Sequence, residues 1–160
     1  MEITSAIVAA EREWVREQAG TVVPLINAVR ETLGRRFDTT VEPVEEAVYL
    51  AAVDEVFADG DLGVNVAALV RLLRTLEVTD DYPGFVVDEL LGRELAGTLA
   101  GNQPLRLLGE ATFHVADAMT DGPASEPAGV DDLVAALAAG FQTRLPGWPW
   151  REHPSPFAVE

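Results

Sequence analysis

Apolar residues recur at three- and four-residue steps along most of the chain, the spacing that gathers side chains on one face of an α-helix. About seven stretches show this periodicity. They cover residues 3–14, 22–33, 44–56, 66–76, 85–99, 108–119 and 130–141. Since no stretch alternates apolar and polar residues for long enough to indicate a strand, the pattern predicts an all-α protein, a single compact bundle of about seven helices.

Glycine, proline and aspartate punctuate the periodic stretches and predict where helices begin and end. Gly20 is expected to end the first helix, and residues 59–60 to end the third, with the fourth helix beginning near Val66. Residues 80–83 are expected to open the fifth helix. Residues 101–104 are expected to separate the fifth helix from the sixth.

The C-terminal residues 144–160 differ in composition from the rest, because they hold four of the ten prolines of the chain. Proline at this density disfavours a helix and favours an extended form. We therefore divide the chain into a helical domain, residues 1–143, and an extended proline- and aromatic-rich tail, residues 144–160. The tail either straps the domain, with its aromatic side chains filling surface grooves, or docks onto a partner through them. The residues concerned are Trp148, Trp150 and Phe157.

Composition narrows the classes of function. The chain carries 27 acidic and 11 basic residues, a net charge of −16, while 48% hydrophobic residues suffice for a core. Without cysteine or lysine, disulfides, thiolate nucleophiles and Schiff-base chemistry are excluded. A strongly acidic chain disfavours nucleic acid as a partner and favours a protein with a basic surface. With no apolar run of membrane-spanning length and no signal-peptide pattern, we expect a cytoplasmic protein that is not bound to a membrane.

Three aspartates stand out as candidate metal ligands. Asp54, Asp59 and Asp61 surround the predicted end of the third helix, and three carboxylates at one turn suit Mg²⁺ or Ca²⁺. The alternative is that they are solvated acidic residues of a turn, in a chain that is acidic throughout.

The same turn resembles the metal-binding turn of the DAK2 family, the L subunit of dihydroxyacetone kinase and its relatives. The resemblance rests on residues 54–65, where Asp54 is followed by Asp59-Gly60-Asp61-Leu62-Gly63-Val64-Asn65. It implies that Asp54, Asp59 and Asp61 hold Mg²⁺ ions bridging nucleotide phosphates. Residues 101–104 stand where that family has its glycine-rich nucleotide loop, but they read Gly-Asn-Gln-Pro and lack its Gly-Ser-Gly element.

A second resemblance is to the tellurite-resistance TerB-like family, compact helical proteins with repeated Ala-Asp-Gly turns. Residues 58–60 and 120–122, Ala-Asp-Gly and Thr-Asp-Gly, are similar to those turns. This resemblance implies a stress-response protein that binds metal.

Few residues of the chain could carry catalysis, since it has two histidines and no nucleophile in a recognisable setting. Our leading interpretation is a non-catalytic, acidic helical accessory module that binds another protein and has a divalent cation at the aspartate-rich turn. A reduced DAK2-like domain binding Mg²⁺ and nucleotide, and a TerB-like metal-binding protein, are the alternatives.

Overall fold

The computed structural model describes residues 1–77, 87–120 and 128–152. In these ranges the chain forms seven α-helices, one 3₁₀ turn and no strand, which confirms the all-α prediction. None of the helices in this part of the chain combines the length and apolar character that crossing a bilayer requires. The helices are α1 (Ser5–Glu17), α2 (Ala19–Arg36), α3 (Glu46–Ala58), α4 (Gly60–Thr75), α5 (Val87–Ala100), α6 (Leu105–Asp117) and α7 (Ala128–Arg144), and the 3₁₀ turn is Pro149–Arg151.

Helix α7 is the centre of the bundle. It packs closely against α5 and α6 and also contacts α2 and α4. Residues 133–139 and Phe141 are all buried, and four of them are alanines, whose small side chains let neighbouring helices approach. Gly140 allows a close approach of α5, because a Cβ there would lie 2.5 Å from the Cβ of Leu99.

Two predicted helix boundaries are wrong. Gly20 lies inside the first turn of α2, because the chain turns earlier, at Gln18. Helix α4 begins at Gly60 rather than near Val66, since the Gly63 N–H donates to the Asp59 carbonyl oxygen at 2.7 Å and starts the helical hydrogen bonds at once. The boundary at residues 101–104 is confirmed. The expected start at 80–83 lies outside the described residues.

A buried carboxylate ties α1 to α4. Glu11 is 1% exposed, and its two oxygens accept hydrogen bonds from Arg71 and Arg74. The Arg74 guanidinium also lies 4.7 Å from the ring centroid of Trp14, within the range of a cation–π contact. These contacts fix the face that α1 presents to α4.

The residues after α7 pack against the bundle, and we call residues 145–152 the C-terminal segment. Leu145 and Trp148 belong to the hydrophobic core. Arg30 of α2 holds the start of the segment, since its guanidinium donates to the carbonyl oxygens of Gln142 at 3.2 Å and of Pro146 at 2.9 Å. Residues 145–152 therefore pack on the domain, while residues 153–160 of the predicted tail lie outside the described residues.

Candidate functional site

The carboxylate of Asp54 is engaged by arginines of α1. Its Oδ1 accepts from Arg12 Nε at 3.0 Å, from Arg12 Nη2 at 2.7 Å and from Arg16 Nη1 at 2.7 Å. The hydrogen bond from Arg12 holds the pKa of Asp54 below its usual range. Asp54 thus joins α3 to α1, a structural role that needs no cation.

Asp59 and Asp61 lie at the junction of α3 and α4, and both are exposed. Asp59 lines a cavity of about 460 Å³ together with Gly101, Asn102 and Arg144, so the structure does bring it close to residues 101–104. Across the described ranges, no three histidine or acidic side chains gather in a way that could hold a metal ion. The expectation that Asp54, Asp59 and Asp61 converge is therefore not met in the structure.

The tryptophans of the C-terminal segment have different exposures. Trp148 is fully buried, and its Nε1–H donates to Gln142 Oε1 at 2.9 Å. Trp150 is partly buried and stacks on Trp148 with the ring centroids 4.4 Å apart. Phe37, which is 55% exposed, lies edge-on to both rings. Of the three predicted partner-binding residues, Trp148 fills the core, Trp150 reaches the surface, and Phe157 lies outside the described residues.

An apolar groove of about 390 Å³ runs between α3 and the start of the C-terminal segment, and we call it the α3 groove. Val48 is 39% exposed there, and Glu55 is the one charged residue of the lining. Exposed Glu45 and Glu46 stand at the end of α3 where the groove begins. The groove is lined by Ala47, Val48, Ala51, Ala52, Glu55, Leu145 and Pro146.

The sequence analysis treated the apolar residues of α3 as one face of a helix and did not identify the groove. One signal was available: α3 is apolar around more of its circumference than a single core-facing stripe requires. Tyr49, Val53 and Val56 face the core, which leaves Val48 and Ala51 on the outside. The second wall comes from Leu145 and Pro146, about ninety residues later in the chain, which local periodicity does not predict.

Two carboxyl groups meet where α5 and α7 begin, a pair that sequence reasoning also missed. Asp88 of α5 is 5% exposed and its Oδ1 accepts from the backbone N–H of Glu89 at 3.0 Å. Burial, the charges of Asp88 and Asp117, and a hydrogen bond with Asp88 raise the pKa of Asp132 to about 8. At neutral pH Asp132 therefore holds a proton with which it can donate a hydrogen bond to Asp88.

The geometry defines a small helical protein with an apolar groove beside acidic side chains. The chain belongs to the DUF7984 family, described as a domain of unknown function, which matches residues 1–160. No curated protein and no solved structure matches it. These comparisons give no support to a similarity with the DAK2 family or with the TerB-like family.

Proposed function

We propose that this protein is a non-catalytic, acidic helical module that binds another protein through the α3 groove. The observation that carries the proposal is the arrangement of exposed Val48 and Ala51 beside Pro146, with Glu55 in the lining. The occupant is an amphipathic, basic segment of a partner protein.

The apolar part of the groove accounts for affinity. An amphipathic segment that lays one apolar side chain between α3 and the C-terminal segment would cover Val48 and remove its exposed surface from water. Each Å² of apolar surface removed from water contributes about 25 cal/mol before the costs of association. The floor is preformed, because Leu145 is buried and Arg30 fixes the backbone of Pro146.

The acidic side chains in and beside the α3 groove account for its preference for a basic partner. Glu55 lies in the groove and Glu45 and Glu46 stand at one end of it, while α3 itself carries no arginine. The whole chain has a net charge of −16. Long-range attraction speeds the encounter with a basic partner and disfavours an acidic one, and salt weakens it.

A photo-crosslinking amino acid at position 51 tests the proposal, with the same group at position 64 as control. Val64 is also exposed, at 45%, but lies on α4 outside the groove. In lysate of the source cells at low salt, we expect a crosslinked protein from position 51 and not from position 64. The crosslinked peptide should contain arginine or lysine beside an apolar residue.

Two further comparisons decide the outcome. Val48→Glu should abolish the crosslink by placing a charge in the groove, whereas Val64→Glu should leave it intact. Raising NaCl to about 0.5 M should weaken it, because the Debye length falls below ~5 Å. Equal crosslinking from both positions, or a crosslink that survives Val48→Glu, would contradict the proposal.

A further inference from the structure

Another cavity lies between α2 and the chain that returns along it, and we call it the α2 cavity. Its volume is about 530 Å³, within the range of small-molecule sites. Pro24 and Ala28 of α2 line one side, and Thr39, Thr40 and Val41 of the returning chain line the other.

The inner wall of the α2 cavity contains a buried cation, the side chain of Arg30. Arg30 is 1% exposed, and its guanidinium donates to the carbonyl oxygens of Glu42, Gln142 and Pro146. No carboxylate in the described ranges pairs with it, and its Nε–H has no acceptor there.

A buried charge without a counter-charge is costly, and that cost lowers the pKa of Arg30 to about 10. The side chain is nonetheless cationic at neutral pH. Carbonyl dipoles solvate the guanidinium but leave its charge uncompensated, so an anion in the adjacent cavity would gain a favourable interaction at low local dielectric.

The rest of the lining suits an organic anion that carries one negative charge better than an anion that carries several. Arg35 adds a second cation, but it lies 3.3 Å from Glu31, which also lines the cavity. Two arginines and one glutamate give the lining one net positive charge, in a chain whose net charge is −16. The hydroxyls of Thr39 and Thr40 offer hydrogen bonds, and Pro24, Ala28 and Val41 offer apolar contact.

We propose that the α2 cavity binds a small organic monocarboxylate, with its carboxylate directed toward Arg30 and Arg35 and its apolar body against Pro24, Ala28 and Val41. This site is separate from the α3 groove and does not depend on the proposed function. The carboxylate of the bound ligand would offset the buried positive charge of Arg30.

Titration of ¹⁵N-labelled protein with benzoate, followed by amide chemical shifts, tests the proposal. We expect saturable shifts in residues 24–43 at millimolar benzoate. Benzamide has the same ring without the charge and should bind about tenfold more weakly or worse, since charge-assisted hydrogen bonds are lost.

Ala28→Trp blocks the α2 cavity from an exposed position and should abolish the shifts, while Ala111→Trp, at an exposed position of α6, should not. Arg30→Met removes the charge and should weaken binding about tenfold if the variant folds; if it does not, Ala28→Trp decides. Absence of saturable shifts with benzoate, equal affinity for benzamide, or unchanged binding by Ala28→Trp would overturn the proposal.

Discussion

The indole N–H of Trp148 and the side-chain oxygen of Gln142 form a hydrogen bond inside the core. The indole Nε1–H donates to Gln142 Oε1 at 2.9 Å, and both side chains are fully buried. The Gln142 amide nitrogen in turn donates to Thr143 Oγ1 at 2.9 Å. Because a buried amide needs partners, the C-terminal segment is part of the folded domain.

Trp148→Phe should destabilise the protein by at least about 1–3 kcal/mol, since Gln142 Oε1 would be left buried without its donor and the smaller ring would leave a void. Trp150→Phe is the matched control. It loses one hydrogen bond to the Thr143 carbonyl oxygen at a partly buried site and should cost about 1 kcal/mol or less. Urea unfolding followed by circular dichroism measures both. Equal costs for the two variants would show that the Trp148–Gln142 contact contributes little.

Glu11→Gln should lower the free energy of unfolding by about 1–3 kcal/mol. The neutral amide has one acceptor oxygen in place of two, so it cannot accept charge-assisted hydrogen bonds from both Arg71 and Arg74. The two arginines are about one-third exposed and can be solvated after the change, so the cost stays below that of breaking a fully buried pair. Glu13→Gln, a substitution of an exposed residue of α1, should change stability by less than about 0.5 kcal/mol. Thermal melts of the two variants at neutral pH test this difference, and a comparable loss for both would contradict it.

Periodicity predicted the seven helices because each buries an apolar face, but it misplaced ends that depend on contacts between helices. Gly63 shows why the α3–α4 junction was missed. A Cβ at this position would lie 2.9 Å from the Phe57 carbonyl oxygen, so the missing side chain lets α4 turn back directly against the end of α3. In the sequence, the glycines after Asp59 indicate a loop instead.

The candidate sites were harder to predict because they depend on residues far apart in the chain. In the sequence, Asp54 resembles a metal ligand next to Asp59 and Asp61. In the structure its carboxylate instead forms ion pairs with Arg12 and Arg16, about forty residues earlier in the chain. Arginines of a preceding helix cannot be assigned to a particular carboxylate by spacing alone. Asp88 of α5 and Asp132 of α7 are also far apart in the chain, so spacing alone does not predict that they meet.

Divalent cations should leave the melting temperature unchanged beyond the effect of ionic strength. Arg12 and Arg16 already neutralise Asp54, so Asp59 and Asp61 would be left as two exposed ligands, fewer than Mg²⁺ or Ca²⁺ sites use. The test compares melts in EDTA with melts in millimolar MgCl₂ or CaCl₂ at matched ionic strength, for the wild type and Asp59→Asn. Stabilisation of several degrees in the wild type that is lost in Asp59→Asn would instead restore the metal site.

The Asp88–Asp132 pair should make the protein less stable as the pH rises from about 5 to about 8. The pKa of Asp132 is raised from 3.8 to about 8 in the folded chain, chiefly by burial and the charge of Asp88. Between these values the folded state keeps a proton that the unfolded state has released. The contribution of Asp132 is therefore complete below about pH 4 and is lost as the pH passes through about 8.

Asp132→Asn removes this titration while retaining an N–H donor for Asp88. We expect the variant to be more stable than the wild type at pH 8.5 and to lose less stability between pH 5 and pH 8.5. Asp117 and Glu89 also face the pair, and His114 Nδ1 lies 3.9 Å from Glu89, so Glu89→Gln serves as a control that removes one neighbouring charge and keeps Asp132. Asp61→Asn, an exposed substitution in α4, should leave the wild-type pH profile unchanged. Urea unfolding at half-unit pH intervals measures all four proteins. If Asp132→Asn kept the full wild-type dependence across this window, the proton of Asp132 would not be the cause of it.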